Sequence, residues 1–354
     1  MVPLPINLPR TIEYSDGKVR MINQLLLPHK LEYIETSDWR RVAEAIKRME
    51  IRGAPAIGVA AAMALALAAR ELSGKSLPEA LRGMEEAAEA LRSTRPTAVN
   101  LFWAINRVML KVREAKTTDE LVEIAEREAL AIWREDEECN KRIGEIGEQL
   151  IEDGATVMTV CNAGSLATSY YGTATAPIYA AVERGKKVRV IALETRPYLQ
   201  GARLTAWELS RAGVEVYVIT DNQMGIVAER EGVSLVIVGA DRITSTGYVA
   251  NKIGTFPLAL VAKELGIPFY VAAPTSTIDM HARGPQDFEI ERRPAEELLY
   301  IFGKRIAPEG VDAIYYAFDV TPPKLITGII TEKGIAYPPY SLSLRKLVTD
   351  GPGH

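Results

Sequence analysis

Leu235-Val236-Ile237-Val238-Gly239-Ala240-Asp241-Arg242 decides the fold. Four large aliphatic residues in a row, with no polar residue alternating, read as a strand buried on both faces, and the Gly-Ala pair ends it just before two charged residues. The same pattern recurs at Thr156–Cys161, Val188–Leu193, Glu215–Ile219 and Phe269–Ala272, with helical segments between the runs. Buried runs alternating with helices predict a parallel sheet covered on both sides. In such sheets ligands bind beyond the carboxyl ends of the strands, so the residues that follow each run are the first candidates for function.

Upstream of Gly154 the text is different. Residues Ile12 to Ile34 read as short strands, with a hairpin turn at Ser15-Asp16-Gly17-Lys18 and a second extended piece after Leu25 to His29. From Asp38 to about Leu150 the periodicity is helical. Ser37-Asp38 suits a first cap, Pro55 a second helix start, and Ser76 to Leu91, Ala98 to Ala115 and Thr118 to Asp153 carry apolar residues at three and four spacing. The predicted class is α/β: a mainly helical N-terminal domain with a small β-sheet over residues 1–150, then a Rossmann-like parallel-sheet domain over 151–354. Ala54 to Ala69, the most apolar stretch, is shorter than the roughly 20 residues of a membrane span and reads as a buried helix.

A chain of 354 residues suits two domains of ordinary size. The net charge of −4 supplies no global field to attract nucleic acid or an anionic membrane, so any anion must be met by local groups. The two cysteines, Cys139 and Cys161, share no ligand spacing with each other or with a histidine, and His29, His281 and His354 are scattered. We therefore expect free thiols, a cytoplasmic location and no metal. Met1 to Arg10 has no sustained apolar run, so no secretory signal is expected there. Eight Asn and five Gln beside abundant Glu and Arg is a bias of proteins from hot environments.

Five strand ends carry polar groups: Cys161-Asn162-Ala163-Gly164-Ser165, Glu194-Thr195-Arg196-Pro197, Asp221-Asn222, Gly239-Ala240-Asp241-Arg242 and Ala273-Pro274-Thr275-Ser276. Singly, each suits a cap or turn former. Cys161 sits at a strand tip before a Gly-Ser turn, where a helix N-terminus would favour a reactive thiolate; the alternative is a small buried hydrophobe. Asp241 follows an apolar run, where lost solvation raises a carboxyl pKa and fits it for proton donation; the alternative is a pair with Arg242 or a cap. In Ile51-Arg52-Gly53-Ala54-Pro55, a guanidinium beside small residues and a helix start makes an anion cradle. Arg95-Pro96-Thr97 and Asn251-Lys252-Ile253-Gly254 repeat the theme of a cation with a turn.

Taken in order, the strings 51–58 (Ile-Arg-Gly-Ala-Pro-Ala-Ile-Gly), 95–101 (Arg-Pro-Thr-Ala-Val-Asn-Leu), 161–168 (Cys-Asn-Ala-Gly-Ser-Leu-Ala-Thr), Glu194-Thr195-Arg196-Pro197, Gly239-Ala240-Asp241-Arg242 and 250–255 (Ala-Asn-Lys-Ile-Gly-Thr) resemble the methylthioribose-1-phosphate isomerases from about Ile34 to Lys333. That superfamily also holds ribose-1,5-bisphosphate isomerases and regulatory subunits of a translation-initiation exchange complex. The resemblance implies a cytoplasmic homodimer acting in methionine salvage and methionine biosynthesis on a small-molecule sugar phosphate, with no cofactor, no nucleic acid and no membrane partner. It implies Cys161 and Asp241 as catalytic residues and Arg52, Gly53, Ala54, Arg95, Gln200, Asn251 and Lys252 as substrate contacts. Met280 to Glu296 and Ser169-Tyr170-Tyr171 depart from the family text. An isomerase of another sugar 1-phosphate would use the same Cys161 and Asp241; a regulatory subunit would need neither.

Overall fold

Asp16 and Gly17 both take left-handed backbone conformations (φ 51° and 70°), the geometry a tight hairpin demands. They join β1 (Ile12–Ser15) to β2 (Lys18–Ile22), and β3 (Tyr33–Thr36) completes a three-stranded antiparallel sheet. The computed structural model describes residues 6–95, 98–290 and 292–349. Pro96, Thr97, Glu291, His354 and the first five residues, all of which enter the sequence reading, lie outside the described residues.

Asp38 caps α1 (Trp39–Lys47), its carboxylate accepting the Arg40 N–H at 2.9 Å. α2 (Ala54–Glu71) has Pro55 in its first turn, where a missing N–H is harmless. α3 (Leu77–Arg92) starts with a Ser76/Glu79 capping box, and α4 (Val99–Val112) and α5 (Thr118–Gly147) follow. By length and composition α2 is long and apolar enough to cross a membrane. Every residue from Ala56 to Ala69 is buried, however, in a core that includes Ile46, Met84, Leu101, Val108 and Ile124. Its apolarity all round therefore fits the centre of a helical layer. Leu8–Lys141 and Gly164–Gly172 form this unit.

The second unit comprises Ile6, Asn7, Arg142–Ala163 and the chain from Thr173 onward. Its strands are β4 (Ala155–Thr159), β5 (Val188–Leu193), β6 (Glu215–Ile219), β7 (Leu235–Val238), β8 (Arg242–Thr244), β9 (Val249–Lys252), β10 (Phe269–Ala272), β11 (Ile278–Asp279), β12 (Tyr300–Ile301), β13 (Lys304–Arg305), β14 (Phe318–Thr321), β15 (Gly328–Thr331) and β16 (Gly334–Ala336). The helices are α6 (Ala176–Glu183), α7 (Ala206–Arg211), α8 (Met224–Arg230), α9 (Thr255–Glu264), α10 (Glu296–Leu299) and α11 (Tyr340–Thr349). The main sheet runs β16-β15-β10-β7-β4-β5-β6, parallel throughout except for the antiparallel edge strand β16. All four residues of β7 and all five of β4 are buried, as expected of central strands covered on both faces.

The chain proceeds from β4 to β5 and β6 on one side, then returns to place β7 on the other side of β4. That reversal is the topological switch point of an open α/β sheet, and it lies between β4 and β7. β5, β6, β7 and β10 match the sequence reading residue for residue, while β4 is shifted to end at Thr159. Not foreseen are β15 and β16, and a separate sheet ordered β11-β8-β9-β14. In the latter, Asn251 and Lys252 end strand β9, paired antiparallel with Asp319 and Phe318 of β14, and the turn expected after the cation follows at Ile253-Gly254.

Candidate functional site

Cys161 and Asp241 both lie just beyond the carboxyl ends of the two strands that flank the switch point, β4 and β7. Their loops touch: a Cβ built on Gly239 would lie only 2.4 Å from the Cβ of Ala163, so glycine alone permits the approach. Cys161 is buried and takes a left-handed backbone conformation (φ 64°), uncommon for a residue with a side chain. Two threonines hold that conformation. The Cys161 N–H donates to Thr195 Oγ1 at 2.8 Å, and Thr205 Oγ1 donates to the Cys161 carbonyl at 2.5 Å.

The sequence placed a helix N-terminus next to Cys161. The structure corrects this: a 3₁₀ turn at Ser165–Ala167 comes first, and α6 begins only at Ala176. The chain must cross to the other unit at Gly164–Gly172 before it can start a helix here. The backbone of Cys161 is held by side-chain hydroxyls.

Thr195 is itself left-handed (φ 63°) and is fixed by Asp221, whose carboxylate accepts the N–H groups of Thr195 and Arg196 at 2.7 Å each. Burial, and next the Asp221 carboxylate, push the half-buried Glu194 above the usual carboxylate range. Gln200 is buried beside this loop, with its Oε1 unpartnered within the protein. The next residue, Gly201, is pressed so close to β5 that a Cβ would lie 1.7 Å from the Leu193 carbonyl oxygen. A π-helical turn, Gly201–Thr205, follows and leads into α7. Such turns concentrate at functional sites.

The Asp241 N–H donates to the Ala250 carbonyl at 3.0 Å, tying Asp241 to the strand that carries Asn251 and Lys252. Asn251 is buried, its Nδ2 donating to Thr255 Oγ1 at 3.0 Å. Lys252 Nζ lies 4.4 Å from the centroid of the Phe318 ring. Asp319 caps α9 by accepting the N–H groups of Gly254 (2.8 Å) and Phe256 (3.0 Å). Burial raises its pKa to about 6 against the pull of those donors and of Lys252. Arg242 pairs with Asp279 (Nε to Oδ2, 3.1 Å). Cys161, Gln200 and Asp241 thus lie beyond the carboxyl ends of β4, β5 and β7, and Asn251 and Lys252 lie on the strand to which Asp241 is tied.

The other strand ends are structural. Asp221 serves as the turn anchor just described, and the Thr275 N–H donates to Glu332 Oε2 at 2.9 Å. Behind Cys161 lies a network with no local signal in the sequence. Asn162 Nδ2 donates to Thr205 Oγ1 (3.2 Å) and Glu208 Oε2 (3.3 Å), and the Tyr179 hydroxyl donates to Glu208 Oε1 (2.9 Å). A lone acid on the buried face of a short helix is the only signal Glu208 offers in sequence.

Arg52, Gly53, Ala54 and Arg95 belong to the helical unit. Gly53 occupies the N-cap of α2 with φ 95° and no side-chain cap, so the first N–H groups of this 18-residue helix have no intrahelical acceptor. Arg95 ends the segment before α4, its carbonyl accepting the Ala98 N–H at 3.1 Å. A Cβ on Gly58 would lie 2.9 Å from the Asn100 carbonyl oxygen, so the first turns of α2 and α4 converge. Two helix N-termini and two guanidinium-bearing segments at one end of a helix pair form a setting for an anion. Gly53 is backed by the Gly164–Gly172 strap: its Cβ would lie 2.4 Å from Ala167 Cα. The strap is pinned by Asp136 of α5, which accepts the Ser169 N–H (2.8 Å), the Ser169 hydroxyl and Asn140 Nδ2 (3.2 Å). Burial raises the Asp136 pKa to about 6 despite these donors. Among the described residues no three His, Cys, Asp or Glu side chains are grouped to hold a metal ion.

An open α/β sheet that presents a thiol and a carboxyl group at its switch point is the framework of an α/β enzyme. The chain belongs to the initiation factor 2 subunit family, whose family model matches residues 50–338. The methylthioribose-1-phosphate isomerase of Thermotoga maritima is 52% identical over 339 residues, 96% of this chain and 98% of that one. The solved structure of 5-methylthioribose 1-phosphate isomerase from Pyrococcus horikoshii OT3 is 47% identical, covers 97% of both chains and gives a TM-score of 0.92. A structure from A. fulgidus described as translation initiation factor eIF-2B, subunit delta, is also 47% identical, with a TM-score of 0.88 over 96% of this chain and 99% of that one. Similarity of this depth over full length puts the chain in the methylthioribose-1-phosphate isomerase branch of the family.

Proposed function

We propose that the protein isomerises 5-methylthioribose 1-phosphate to 5-methylthioribulose 1-phosphate in methionine salvage. The observation that carries this is the pairing of near-complete-length similarity to named isomerases with a thiol and a carboxyl group on the strands flanking the switch point. A 1-phosphate prevents a sugar from opening to a free aldehyde, so ring opening requires a proton on the ring oxygen. Asp241 donates it. The hydrogen on C2 then moves to C1 and the C2 hydroxyl gives up its proton, leaving a ketone at C2. Cys161 acts on that transfer, as base if a proton moves or as a stabilising neighbour if a hydride moves. Arg52 and Arg95, with the backbone N–H groups of Gly53 and Ala54, hold the phosphate. Lys252 adds positive charge, and Gln200 and Asn251 orient the sugar hydroxyls. The unpartnered Gln200 Oε1 supports this role, because a buried acceptor of this kind is satisfied when a ligand donates to it. The protein works as a cytoplasmic homodimer.

A regulatory role in translation initiation is favoured by one observation, the eIF-2B description of the A. fulgidus structure. Conversion of methylthioribose 1-phosphate by wild type beside Cys161→Ser and Asp241→Asn separates the two. Turnover by wild type, lost in both variants with binding retained, supports the isomerase and the assigned roles. Absence of turnover by wild type, or full activity of Asp241→Asn, overturns them.

A further inference from the structure

The geometry points to Thr195 and Thr205 as positioning residues that clamp the Cys161 backbone from both sides and so aim its thiol. This rests on the catalytic reading of Cys161. A left-handed residue bearing a side chain sits in a sparsely populated region and persists only where its surroundings over-determine it. Here the surroundings are specific. Thr195 Oγ1 accepts the Cys161 N–H at 2.8 Å and donates to the Leu193 carbonyl at 3.0 Å, so one hydroxyl bridges the ends of β4 and β5. Thr205 Oγ1 donates to the Cys161 carbonyl at 2.5 Å. Neither hydroxyl is placed by regular structure. Thr195 depends on its own left-handed turn and on Asp221, and Thr205 closes the π-helical turn that Gly201 permits.

Both threonines are buried, at about 1% exposure each. Removing either hydroxyl takes a hydrogen bond from a Cys161 peptide group at a buried site. The backbone then relaxes toward an ordinary conformation, and rotation at Cα swings the thiol away from its position at the switch point. Substrate contacts elsewhere are untouched, so the loss falls on turnover.

The experiment compares Thr195→Val, Thr205→Val, Thr195→Ser and Thr205→Ser, all in a Cys139→Ala background so that Cys161 is the sole thiol. It reads kcat and KM with methylthioribose 1-phosphate, and the rate and pH profile of Cys161 modification by methyl methanethiosulfonate. Each Val variant is expected to lower kcat by about 10–100-fold with KM within about twofold. The modification rate or its pH midpoint should change in parallel, and the Ser variants should recover most of both. The two sites are read independently, so a fold failure at one leaves the other decisive. Wild-type kcat and modification profile in a folded Val variant, or Ser variants as impaired as Val, overturns the proposal. Should Cys161→Ser itself keep full turnover, the catalytic reading fails while the modification profiles still decide the clamp.

Discussion

Gly53→Ala tests the helical unit at its tightest point. The N-cap glycine has φ 95° and ψ 135°, a region that a residue with a Cβ avoids at a cost of about 1–3 kcal/mol. The new methyl would lie 2.4 Å from Ala167 Cα and 2.5 Å from its carbonyl oxygen, both backbone atoms. Relief requires the strap to move, but Thr11 Oγ1 donates to the Ser165 carbonyl at 2.7 Å and Gln24 Nε2 to the Leu166 carbonyl at 2.7 Å. Asp136 holds the same strap at Ser169. Overpacking against so fixed a neighbour adds about 1–3 kcal/mol, for a total on the order of 2–6 kcal/mol. The first turn of α2 is the freer partner, and its N–H groups shift with it. KM should therefore rise by at least about tenfold, the loss expected when a bound group's hydrogen bonds are misaligned. Gly74→Ala is the control, since Gly74 is also left-handed (φ 82°) yet has no atom within 4 Å of a new Cβ. It should show the backbone strain alone and leave KM unchanged. Denaturant unfolding and steady-state kinetics on both variants decide the matter. Equal behaviour of the two would refute the claim that Gly53 is constrained by the strap and serves the phosphate.

Asp136 and Asp319 both have folded pKa values near 6, above the 3.8 of a free aspartate, so each protonates in the folded state first and contributes stability that grows as pH falls through 6. For Asp136 the gain between pH 7 and pH 5 is about 1 kcal/mol, and it should appear as a pH-dependent difference between the wild-type and Asp136→Asn unfolding stabilities, because the Asn variant lacks the titrating group; parallel curves over that range would refute it. Tyr179→Phe removes the donor at 2.9 Å from Glu208 Oε1, in a site where both residues are fully buried. It should lower unfolding stability by about 1–3 kcal/mol, seen as a fall in the urea midpoint, and an unchanged midpoint would show that Glu208 does not need this partner.

The central strands were legible because sheet burial on both faces writes an unbroken aliphatic run, as in Leu235 to Val238. The caps at Asp38 and Ser76 were legible for a different reason, since a single side chain satisfies a nearby N–H and needs no distant partner. What escaped is what depends on pairing at a distance. β14 meets β9 across more than sixty residues, and nothing in Phe318 to Thr321 announces that Asp319 will face Asn251 and cap α9. The turn at Ile253-Gly254 after Lys252 was legible from neighbours in sequence, but the strand pairing of Asn251 and Lys252 was not.

The candidate site divides along the same line. Cys161 and Asp241 could be picked out as chemistry at strand ends, but their juxtaposition is a property of strand order, and strand order is not written locally. The backbone of Cys161 lies further from the sequence still. Cys161 and Thr195, at the ends of adjacent strands, both adopt left-handed conformations although neither is a glycine. Each would fold more comfortably in an extended or right-handed form, so the strain must be offset by the hydrogen bonds that Asp221, Thr195 and Thr205 supply. A merely structural turn can take glycine in the left-handed position, as this chain does at Gly185, Gly213 and Gly232 (φ 85°, 77° and 63°) between elements of the same unit. Retaining a thiol-bearing residue in the strained position is what a loop does when the side chain itself is needed there.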